Sequence, residues 1–443
     1  MAGTISFGGV GSGIDTEGIV SGLVSASSGS LNALKTRANV TKAAVSTLSD
    51  VSSLLANLKK SVEGLASPQE VKSFKATSSH ASVVASANGL ASTGNYSIEV
   101  ESLAKEQRTY SNSFASGTTA LGQAGSFSLK VGSADPVNIT VAAGDTLDNI
   151  VSKINSAGVR ASASLFHDGT SYRLQLRGLD TGAANALTVT EGAGVSLGLS
   201  TPANTFQQAA DARIKVDGFT VTRPTNQIQG AIAGVTLALT DTTTAPVKLS
   251  IDSDPAALKT KMQGVVDAYN AVLKKVRTVS GHGSLKAENP ALAGDSMLRG
   301  LTNRLSETVL KKISGGGTYE TLGQLGLSVT RDGTLNLDST KLDKALTADP
   351  TSVTNVLAGA GNGAGAMDGL RDLITSFTTT GTGLLATRTD ALQGKAKLLQ
   401  ERAEREQDRL NRYADMLRKQ FTNMDSTVAG YNAQFNYVSK LFG

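Results

Sequence analysis

Side chains that could perform catalysis are few in this chain and widely spaced. Cysteine is absent, which excludes disulfides, thiolate nucleophiles and cysteine-ligated metals. The three histidines, His80, His167 and His282, lie far apart, in stretches that resemble strand, turn and loop. No pair has the helical spacing of a metal site, and none accompanies the serine and acid pattern of a hydrolase. The sequence therefore predicts no enzyme, no metal site and no cofactor.

The glycine-rich start of the chain could form a phosphate-binding loop. Gly9–Gly13 precedes a helical pattern, as such loops do, but no strand precedes it and no Gly-Lys-Ser/Thr follows. We favour a helix N-terminus capped by Ser12 or Asp15, with Asp15 and Glu17 facing the positive end of the helix dipole. The first 20 residues contain no Lys or Arg and are interrupted by glycine, unlike a cleavable signal peptide. If the protein is exported, we expect a route that leaves this end uncleaved.

Charged residues cluster on one side of the C-terminal region. Four arginines recur at spacings of three and four residues: Arg402, Arg405, Arg409 and Arg412. A solvated flank with i,i+4 pairs, Glu401–Arg405 and Asp408–Arg412, is favoured over a contact surface for an acidic partner, because such pairs are common on exposed helices. Glu406 lies in an otherwise apolar seam, where a polar residue lowers stability but can fix register.

Composition argues against two classes of partner. The net charge is +5 over 443 residues, and acidic and basic residues interleave, whereas nucleic-acid binding shows a clustered basic patch with stacking aromatics. Aromatic residues make up only 4% of the chain. No segment approaches the roughly 20 apolar residues of a membrane-spanning helix. We expect no nucleic-acid binding and no membrane insertion, in a chain long enough for roughly three domains.

Heptad seams dominate both ends of the chain. The first comprises Ala44, Leu48, Val51, Leu55, Leu58, Val62 and Leu65. It predicts a helix packed on another helix and ended by the sequence ASPQE. A second seam follows the helix start at Asp254-Pro255 and comprises Leu258, Met262, Val265, Tyr269, Val272 and Val276.

The longest predicted helix runs from about Leu384 to Phe442, without proline. Its seam comprises Leu392, Ala396, Leu399, Ala403, Glu406, Leu410, Tyr413 and Leu417, then Phe421, Met424, Val428, Tyr431, Phe435, Val438 and Phe442. A four-plus-four step makes an 11-residue interval from Tyr413 to Met424, which locally relaxes a left-handed supercoil. Such a helix spans roughly 90 Å, and we expect the N-terminal helix and neighbouring copies to cover it.

Residues from about 79 to 254 instead show the two-residue alternation of β-strands. The clearest runs are Val137–Val141, Ala212–Val216, Val235–Leu239 and Val247–Ile251. Asp217-Gly218 supplies the positive φ of a tight hairpin turn. A helix is predicted at Asp145–Asn155, and Ser111–Gly125 is predicted as a loop.

Shorter elements are predicted after the second seam. A helix follows Asp295, a hairpin turns at Arg331-Asp332-Gly333, and helices occupy Ser339–Thr347 and Pro350–Leu357. The glycine-rich stretch Gly359–Gly369 is predicted as a flexible connector.

Four stretches, in order along the chain, carry motifs of known proteins. They are GSGIDTEGIVSGLV, Gly144–Asn155 (GDTLDNIVSKIN), Val216–Val276 and Leu325–Leu346. The first, third and fourth resemble the start, the hallmark turn, strands and helix, and the later hairpin and helix of flagellar hook-associated protein 2, the family of flagellar filament caps. The second resembles the insert motif shared by flagellins and hook proteins, near residues 137–176. Ser25–Leu34 departs from the family, whose members often carry an acidic residue and a proline there, so the helix boundary stays open.

The resemblance implies an α+β fold, in which long helical coiled-coil arms from both termini carry β-rich head domains inserted between them. Residues 1–40 and 385–443 would form a terminal helical leg that is disordered before assembly. Residues 41–78 and 255–384 would form a helical leg domain, and 79–254 the head or plate domains.

The function implied by the resemblance is a filament cap at the distal tip of the bacterial flagellum. Such a cap promotes folding and polymerisation of exported flagellin and prevents its leakage. The implied partners are further copies in a ring, expected to be a pentamer, flagellin, an export chaperone and the flagellar type III export apparatus. The protein would be made in the cytoplasm and would lie outside the cell. A flagellin-like or junction axial subunit and a tip adhesin remain alternatives.

We predict the coiled-coil assembly interface on the seams of the two helical arms. Its residues are Leu48, Val51, Leu55, Leu58, Val62, Leu65, Leu410, Tyr413, Leu417, Phe421, Met424, Val428, Tyr431, Phe435, Val438 and Phe442. One short arm cannot cover such a stripe, so we expect both ends of an isolated chain to be disordered. Limited proteolysis would then leave a core of about residues 70–380.

Overall fold

The computed structural model describes residues 15–281, 286–361 and 363–442, with only the backbone for Leu441 and Phe442. The chain forms two compact units. The first combines the residues up to Ser67 with those from Lys259 onward, and the second is Pro68–Leu258. Long helices precede and follow a series of antiparallel sheets along the chain, which confirms the predicted α+β class.

The described helices and strands agree closely with the periodicity of the sequence. The helices are α1 (Thr16–Ser27), α2 (Gly29–Glu63), α3 (Pro68–Val71), α4 (Leu147–Ser156), α5 (Pro255–Ser280), α6 (Ser296–Leu310), α7 (Ser339–Ala348), α8 (Pro350–Ala358), α9 (Ala366–Thr378) and α10 (Leu384–Phe442). The strands are β1 (Phe74–Ser78), β2 (Val83–Ala87), β3 (Gly94–Ser102), β4 (Arg108–Tyr110), β5 (Gly125–Val131), β6 (Val137–Val141), β7 (Ala161–His167), β8 (Tyr172–Gly178), β9 (Leu187–Glu191), β10 (Thr205–Gln207), β11 (Ala212–Val216), β12 (Phe219–Arg223), β13 (Gln227–Ile232), β14 (Val235–Leu239), β15 (Val247–Ser253), β16 (Leu327–Val329) and β17 (Leu335–Leu337).

Helix α2 buries the first heptad seam inside the first unit. Spacings of four and three residues place the seam on one helical face, and α2 packs against α9 and α10. Seam residues with no exposed surface are Ala44, Leu48, Val51, Leu55, Leu58, Val62 and Leu65. The helix ends at Glu63, ahead of Pro68, which starts the short helix α3.

The boundary that the sequence leaves open within Ser25–Leu34 lies at Ser28, between α1 and α2. The Ser28 backbone N–H donates to the Ser25 carbonyl, which closes α1. At the other end of α1, Asp15 is the N-cap, and its Oδ1 accepts a 2.8 Å hydrogen bond from the Gly18 N–H. This confirms the predicted Asp15 cap, whereas Ser12 and Gly9–Gly13 lie outside the described residues.

The second seam lies along α5 and is buried as predicted. Its buried residues include Leu258, Met262, Val265, Tyr269, Val272 and Val276. The Tyr269 hydroxyl lies 3.1 Å from the Ser306 hydroxyl of α6, and burial raises the pKa of this phenol. Helix α6 follows the N-cap Asp295, and strands β16 and β17 form the predicted hairpin after it.

Five amide side chains in the described part of the chain act as short extensions of the backbone ladders. Each one both donates to a backbone carbonyl and accepts from the backbone N–H of a single residue, at 2.7–3.4 Å. The pairs are Asn155 with Ala163, Asn226 with Ala104, Gln107 with Leu187, Gln123 with Ser196, and Asn270 with Leu335. Backbone groups away from water need such partners, so these amides stabilise the segments that they pair with.

The second unit contains two apolar clusters, each shared by two antiparallel sheets. The sheets β1-β15-β3-β11-β12 and β13-β14-β2 share one cluster, which includes Ile98, Ile214 and Leu249. The sheets β10-β4-β8-β7 and β6-β5-β9 share the other with α4; it includes Phe127, Ile150 and Leu174. The four strand runs of the sequence analysis are strands β6, β11, β14 and β15.

Two predicted features of the second unit have the geometry that the sequence requires. Asp217 and Gly218 both have positive φ, 50° and 86°, in the turn between β11 and β12. Helix α4 begins after the N-cap Thr146, and Gly158, with φ of 71°, follows its end. Ser111–Gly125 carries no strand except the first residue of β5, as expected for a loop.

Two segments differ from the sequence expectation. Gly359–Gly369 is not a connector throughout, because Ala366–Gly369 is the first turn of α9, where Ala366 and Met367 are buried. The sequence does not predict α9, because the glycine-rich stretch that contains its first turn is typical of a connector. Strands also begin before residue 79: β1 starts at Phe74 and pairs with β15, which lies far away along the chain.

Candidate assembly surface on the terminal helices

The N-terminal helices α1 and α2 run antiparallel to α10. The polar contacts between them show this direction, because residues later in α1 and α2 bind residues earlier in α10. Arg418 binds Glu17, Gln407 accepts from the Lys35 ammonium at 3.3 Å, and Gln400 accepts from the Lys42 ammonium at 2.9 Å. The two ends of the chain thus form one helical pair.

Small apolar clusters hold this pair together. Val20 of α1 packs with Ala414 and Leu417 of α10, with Val24, Tyr413 and Phe421 at the margin. Leu31 of α2 packs with Ala403 and Leu410. Val20 and Leu31 are almost fully buried, so α1 and the start of α2 are covered by α10 of the same chain.

A salt bridge fixes the register between α1 and α10. The Arg418 guanidinium donates to both carboxylate oxygens of Glu17, at 3.1 and 2.6 Å, and also contacts Asp415. The hydrogen bond from Arg418 lowers the pKa of Glu17. Because the pair is exposed, its contribution to stability is modest and falls with salt, but its bidentate geometry is specific.

Helix α10 is also anchored near its start. Arg388 donates to Asp295 Oδ2 through Nε at 3.0 Å and Nη2 at 2.8 Å. Asp295 is almost buried and at the same time caps α6 through the N–H groups of Met297 and Leu298. A single carboxylate therefore connects the start of α10 to α6.

Beyond Phe421, α10 presents apolar side chains that the described residues leave exposed or, at Val428, half-buried. Met424, Val428, Tyr431, Phe435 and Val438 define this free apolar face. Tyr431 is 67% exposed and Phe435 is 74% exposed. At about 100° per residue the five side chains lie within an arc of about 80°. The same arc contains Leu410 and Leu417, so the face continues the one on which α1 and α2 pack.

Fifteen of the sixteen predicted interface residues therefore divide into three groups, and Phe442 is left outside them. Those of the first seam, Leu48 to Leu65, lie in the core of one chain. Leu410, Tyr413, Leu417 and Phe421 pack against α1 or α2. Met424, Val428, Tyr431, Phe435 and Val438 form the free apolar face, and the side chain of Phe442 lies outside the described part. That this face assembles with other molecules remains a prediction.

Charged side chains around the seam are arranged differently from the expectation. Glu406, the polar member of the seam, accepts from Arg409 Nε and Nη2 at 3.0 and 2.8 Å, and this bond lowers the pKa of Glu406. Within the described chain the predicted pairs Glu401–Arg405 and Asp408–Arg412 do not form an ion pair; Arg409 and Arg418 form the ion pairs of this region.

The groups considered for catalysis have local structural contacts. His80 Nδ1 accepts from the Ser82 N–H at 3.1 Å, and the His167 ring lies 4.4 Å from that of Tyr172. His282 lies outside the described residues. Among residues 15–281, 286–361 and 363–442, no group of three or more His, Asp or Glu side chains could hold a metal ion. Over the same residues, no helix is both long and apolar enough to span a membrane.

The expected cover of α10 by the N-terminal helix is confirmed, but the α1 residues that make the contact were not named from the sequence. Val20, Val24 and Glu17 contact α10, yet none belongs to the predicted interface. The signal was present, because Val20 and Val24 are four residues apart and share a face. The fold is thus that of a protein whose two ends form a helical pair, with a β-sheet unit inserted between them in the sequence.

Comparison with known proteins identifies the family. Residues 12–107 match the N-terminal model of flagellar hook-associated protein 2, and residues 209–433 match its C-terminal model. Residues 126–180 match the flagellin hook IN motif. The chain belongs to the flagellar hook-associated protein 2 family.

Individual relatives match almost the whole length of the chain. The A-type flagellar hook-associated protein 2 of Pseudomonas aeruginosa is 32% identical, over 98% of this chain and 96% of that protein. The flagellar hook-associated protein 2 of Escherichia coli K12 is 28% identical, over 99% and 98% respectively. A crystal structure of the D1-D2-D3 domains of the flagellar cap protein FliD from Escherichia coli is similar with a TM-score of 0.65 and 27% identity, covering 78% of this chain and 99% of that one.

Proposed function

We propose that this protein caps the distal tip of the bacterial flagellar filament and acts in assembly without covalent catalysis. Family membership over nearly the full chain supports this proposal, as does the likeness to a solved flagellar cap protein. In this role it promotes the folding and polymerisation of exported flagellin and prevents its leakage. A junction or flagellin-like axial subunit is not favoured, since the chain's two end regions match models of hook-associated protein 2.

The proposal extends to partners and location. The protein is exported by the flagellar type III apparatus with an export chaperone. Outside the cell it forms a homo-oligomeric ring, expected to be a pentamer, at the flagellum tip, where it contacts flagellin. Within one chain α1 and α2 already pack on α10, so the part that is disordered before assembly is the end of α10 beyond Phe421, and assembly orders it against other helices.

The free apolar face of α10 is the structural observation that best supports the proposed cap function. It continues the face that binds α1, so the surface is already matched to a helix of suitable apolar pattern. Burial of one such side chain contributes roughly 1.5–3 kcal/mol, and five along one arc can stabilise a helical contact between molecules. We therefore assign helices of neighbouring copies or of filament subunits as its partners.

A matched pair of substitutions tests the face directly. Phe435 and Tyr437 are 74% and 68% exposed on the same helix, but they point about 160° apart, to nearly opposite sides. Phe435→Asp is expected to abolish filament growth and release flagellin into the medium, because it places a charge in the face. Tyr437→Asp, with the same new charge and a similar change in helix propensity, is expected to retain capping.

A truncation after Gln420 removes the free apolar face as a whole. It should keep the β circular-dichroism signal, since both apolar clusters of the second unit lie outside α10. Purified protein is added to cells that lack their own cap, which separates capping from export and chaperone binding. Restoration of filaments by the truncated protein would show that the face is not needed for capping.

A further inference from the structure

An aromatic row lies on the outward face of the sheet β10-β4-β8-β7. Its members are Phe206 of β10, Tyr110 of β4 and Phe166 of β7. Ring centroids are 6.3 Å apart between Phe206 and Tyr110, and 5.9 Å apart between Tyr110 and Phe166, both edge-to-face. Phe206 is 76% exposed and Phe166 is 46% exposed. In a chain with only 4% aromatic residues, three contacting rings on an open sheet face require a reason.

The row does not serve the core beneath it. Leu174 and Leu176 of β8 point inward and are fully buried, whereas the residues between them face outward. The aromatic residues lie on that outward side, opposite the cluster that contains Phe127 and Leu174. The fold of the sheet therefore does not depend on Phe166 or Phe206 in the way it depends on Leu174.

Hydrogen bonds hold the row in place. Gln175, directly opposite Tyr110 in the ladder, donates to the Tyr110 hydroxyl at 2.6 Å. The Ser164 hydroxyl on β7 in turn donates to Gln175 Oε1 at 3.3 Å. A tyrosine fixed in this way loses little conformational entropy when a partner binds.

Arginines lie on both sides of the row. Arg108 and Arg177 are cross-strand neighbours on one side, and Arg173 is paired with Phe166 on the other. Glu106 binds Arg108 at 2.5 Å, and Asp168 lies 3.9 Å from Arg173. Arg177 lies directly opposite Arg108, and like charges in this position repel each other. Among the described residues Arg177 nevertheless forms no ion pair within 4.0 Å. The face thus has an unbalanced positive charge beside its aromatic surface.

We propose that this aromatic row binds an extended segment of a non-native polypeptide with apolar side chains at alternate positions and carboxylates beside them. An extended chain repeats its side chains on one face every 6.6–6.8 Å or so, close to the spacing of the rings. The arginines favour carboxylates next to the apolar side chains. This inference rests on the proposed cap function, because newly exported filament subunits would supply such segments.

Binding of a defined unfolded chain tests the proposal. The probe is fluorescently labelled, reduced and carboxymethylated α-lactalbumin, which is acidic and permanently unfolded, and binding to the full-length protein is followed by anisotropy. Phe166→Ser with Phe206→Ser is expected to weaken binding about tenfold, since truncated aromatic anchors have effects of this size. Arg177→Gln is expected to weaken it about threefold and to reduce its salt dependence.

The control replaces two apolar residues elsewhere in the second unit that are at least as exposed as those of the row, Phe219→Ser with Leu90→Ser. Phe219 is 78% exposed and Leu90 is 61% exposed, and this variant should bind the probe like the wild type. Circular dichroism checks that every variant is folded. Phe206→Ser alone, at the most exposed ring of the row, provides the test if the double variant does not fold.

Three results would overturn the inference: equal loss of binding in the control variant, a smaller oligomer for the aromatic variant by light scattering, or binding of a mucin-type glycan in place of the unfolded chain. The second result would assign the face to contacts between copies.

Restoration of filaments in capless cells by the wild-type protein is measured in parallel. If the wild type fails there, the cap function is wrong; if it succeeds while the aromatic variant binds the probe normally, only this inference is wrong.

Discussion

At the scale of single residues, amide side chains complete backbone ladders that the strands leave open. Asn270 of α5 gives and receives one hydrogen bond with the Leu335 backbone in β17, at 2.9 and 2.8 Å. Strands β16 and β17 are only three residues long each, so the amide provides a large share of their hydrogen bonding. It connects α5 to the hairpin that follows α6.

Asn270→Ala is expected to destabilise the first unit by about 2 kcal/mol, because it leaves two backbone groups of Leu335 without their partner. Asn303→Ala, on the exposed side of α6, is the control and should change stability by less than about 0.5 kcal/mol. Urea unfolding measures both. Equal midpoints for the two variants would contradict the role assigned to Asn270.

Glu17 makes the contact between α1 and α10 sensitive to acid. Its pKa is lowered from 4.5 by the Arg418 hydrogen bond, so the carboxylate form favours the paired helices. A lowered pKa in the folded state means that this stabilisation is present above the unfolded pKa and is lost as pH falls through the folded value. The window lies below about pH 4.5.

Hydrogen exchange of the α1 amides, expressed as protection factors at pH 6 and pH 3, measures this loss. Glu17→Gln should show weaker protection at pH 6 and a smaller difference between the two pH values. The comparison separates Glu17 from Asp15, which caps the same helix and remains in both proteins. The same pH dependence in the variant would assign the effect to other carboxylates.

At the scale of elements, the heptad seams of α2 and α10 have different roles. The seam of α2 is covered inside one chain by α9 and α10, whereas the last part of the α10 seam is exposed. Periodicity alone does not distinguish these cases. The expected proteolytic core should consequently include most of α2 rather than begin near residue 70.

Leu55→Asp with Leu58→Asp should unfold the first unit, at a cost of roughly 4 kcal/mol or more, because both side chains are fully buried. Leu398→Asp, at a residue of α10 that is 45% exposed, is the control and should leave the fold intact. Thermal melting gives the stability, and light scattering gives the oligomer size. Unchanged melting and unchanged size in the double variant would refute both the burial of this seam and its place in the assembly interface.

At the scale of the whole molecule, the division into two units predicts independent folding of the second. Pro68–Leu258 contains both apolar clusters and all strands from β1 to β15. Its two ends come together through the pairing of β1 with β15. A fragment with these bounds therefore retains its complete sheets.

The fragment 68–258 is expected to fold alone, with a cooperative melting transition and a β-type circular-dichroism spectrum. The shorter fragment 79–254 lacks β1, which leaves the edge of β15 unpaired, and should melt at a lower temperature. Equal melting temperatures would mean that the independently folding unit begins at residue 79, as the sequence pattern suggested. Loss of folding in both fragments would contradict the independence of this unit.

Local patterns in the sequence were enough to predict most of the long helices, several strands and the family. Apolar spacing of three and four residues marked α2, α5 and α10, and two-residue alternation marked β6, β11, β14 and β15, because these periods follow from local backbone geometry. Asp217-Gly218 specified its turn through backbone sterics alone. The motifs at Gly144–Asn155 and Val216–Val276 identified the family, which the comparisons confirm.

Which of these surfaces are covered depends on long-range packing, which the sequence patterns do not show. Leu55 and Phe435 lie in similar heptads, yet one is buried and the other is 74% exposed, since a heptad shows which side chains share a face and not what packs on it. The aromatic row likewise depends on β4, β7 and β10, which are separate in sequence and meet only through long-range pairing. Such pairing is set by the packing of the whole sheet, and no local pattern encodes it.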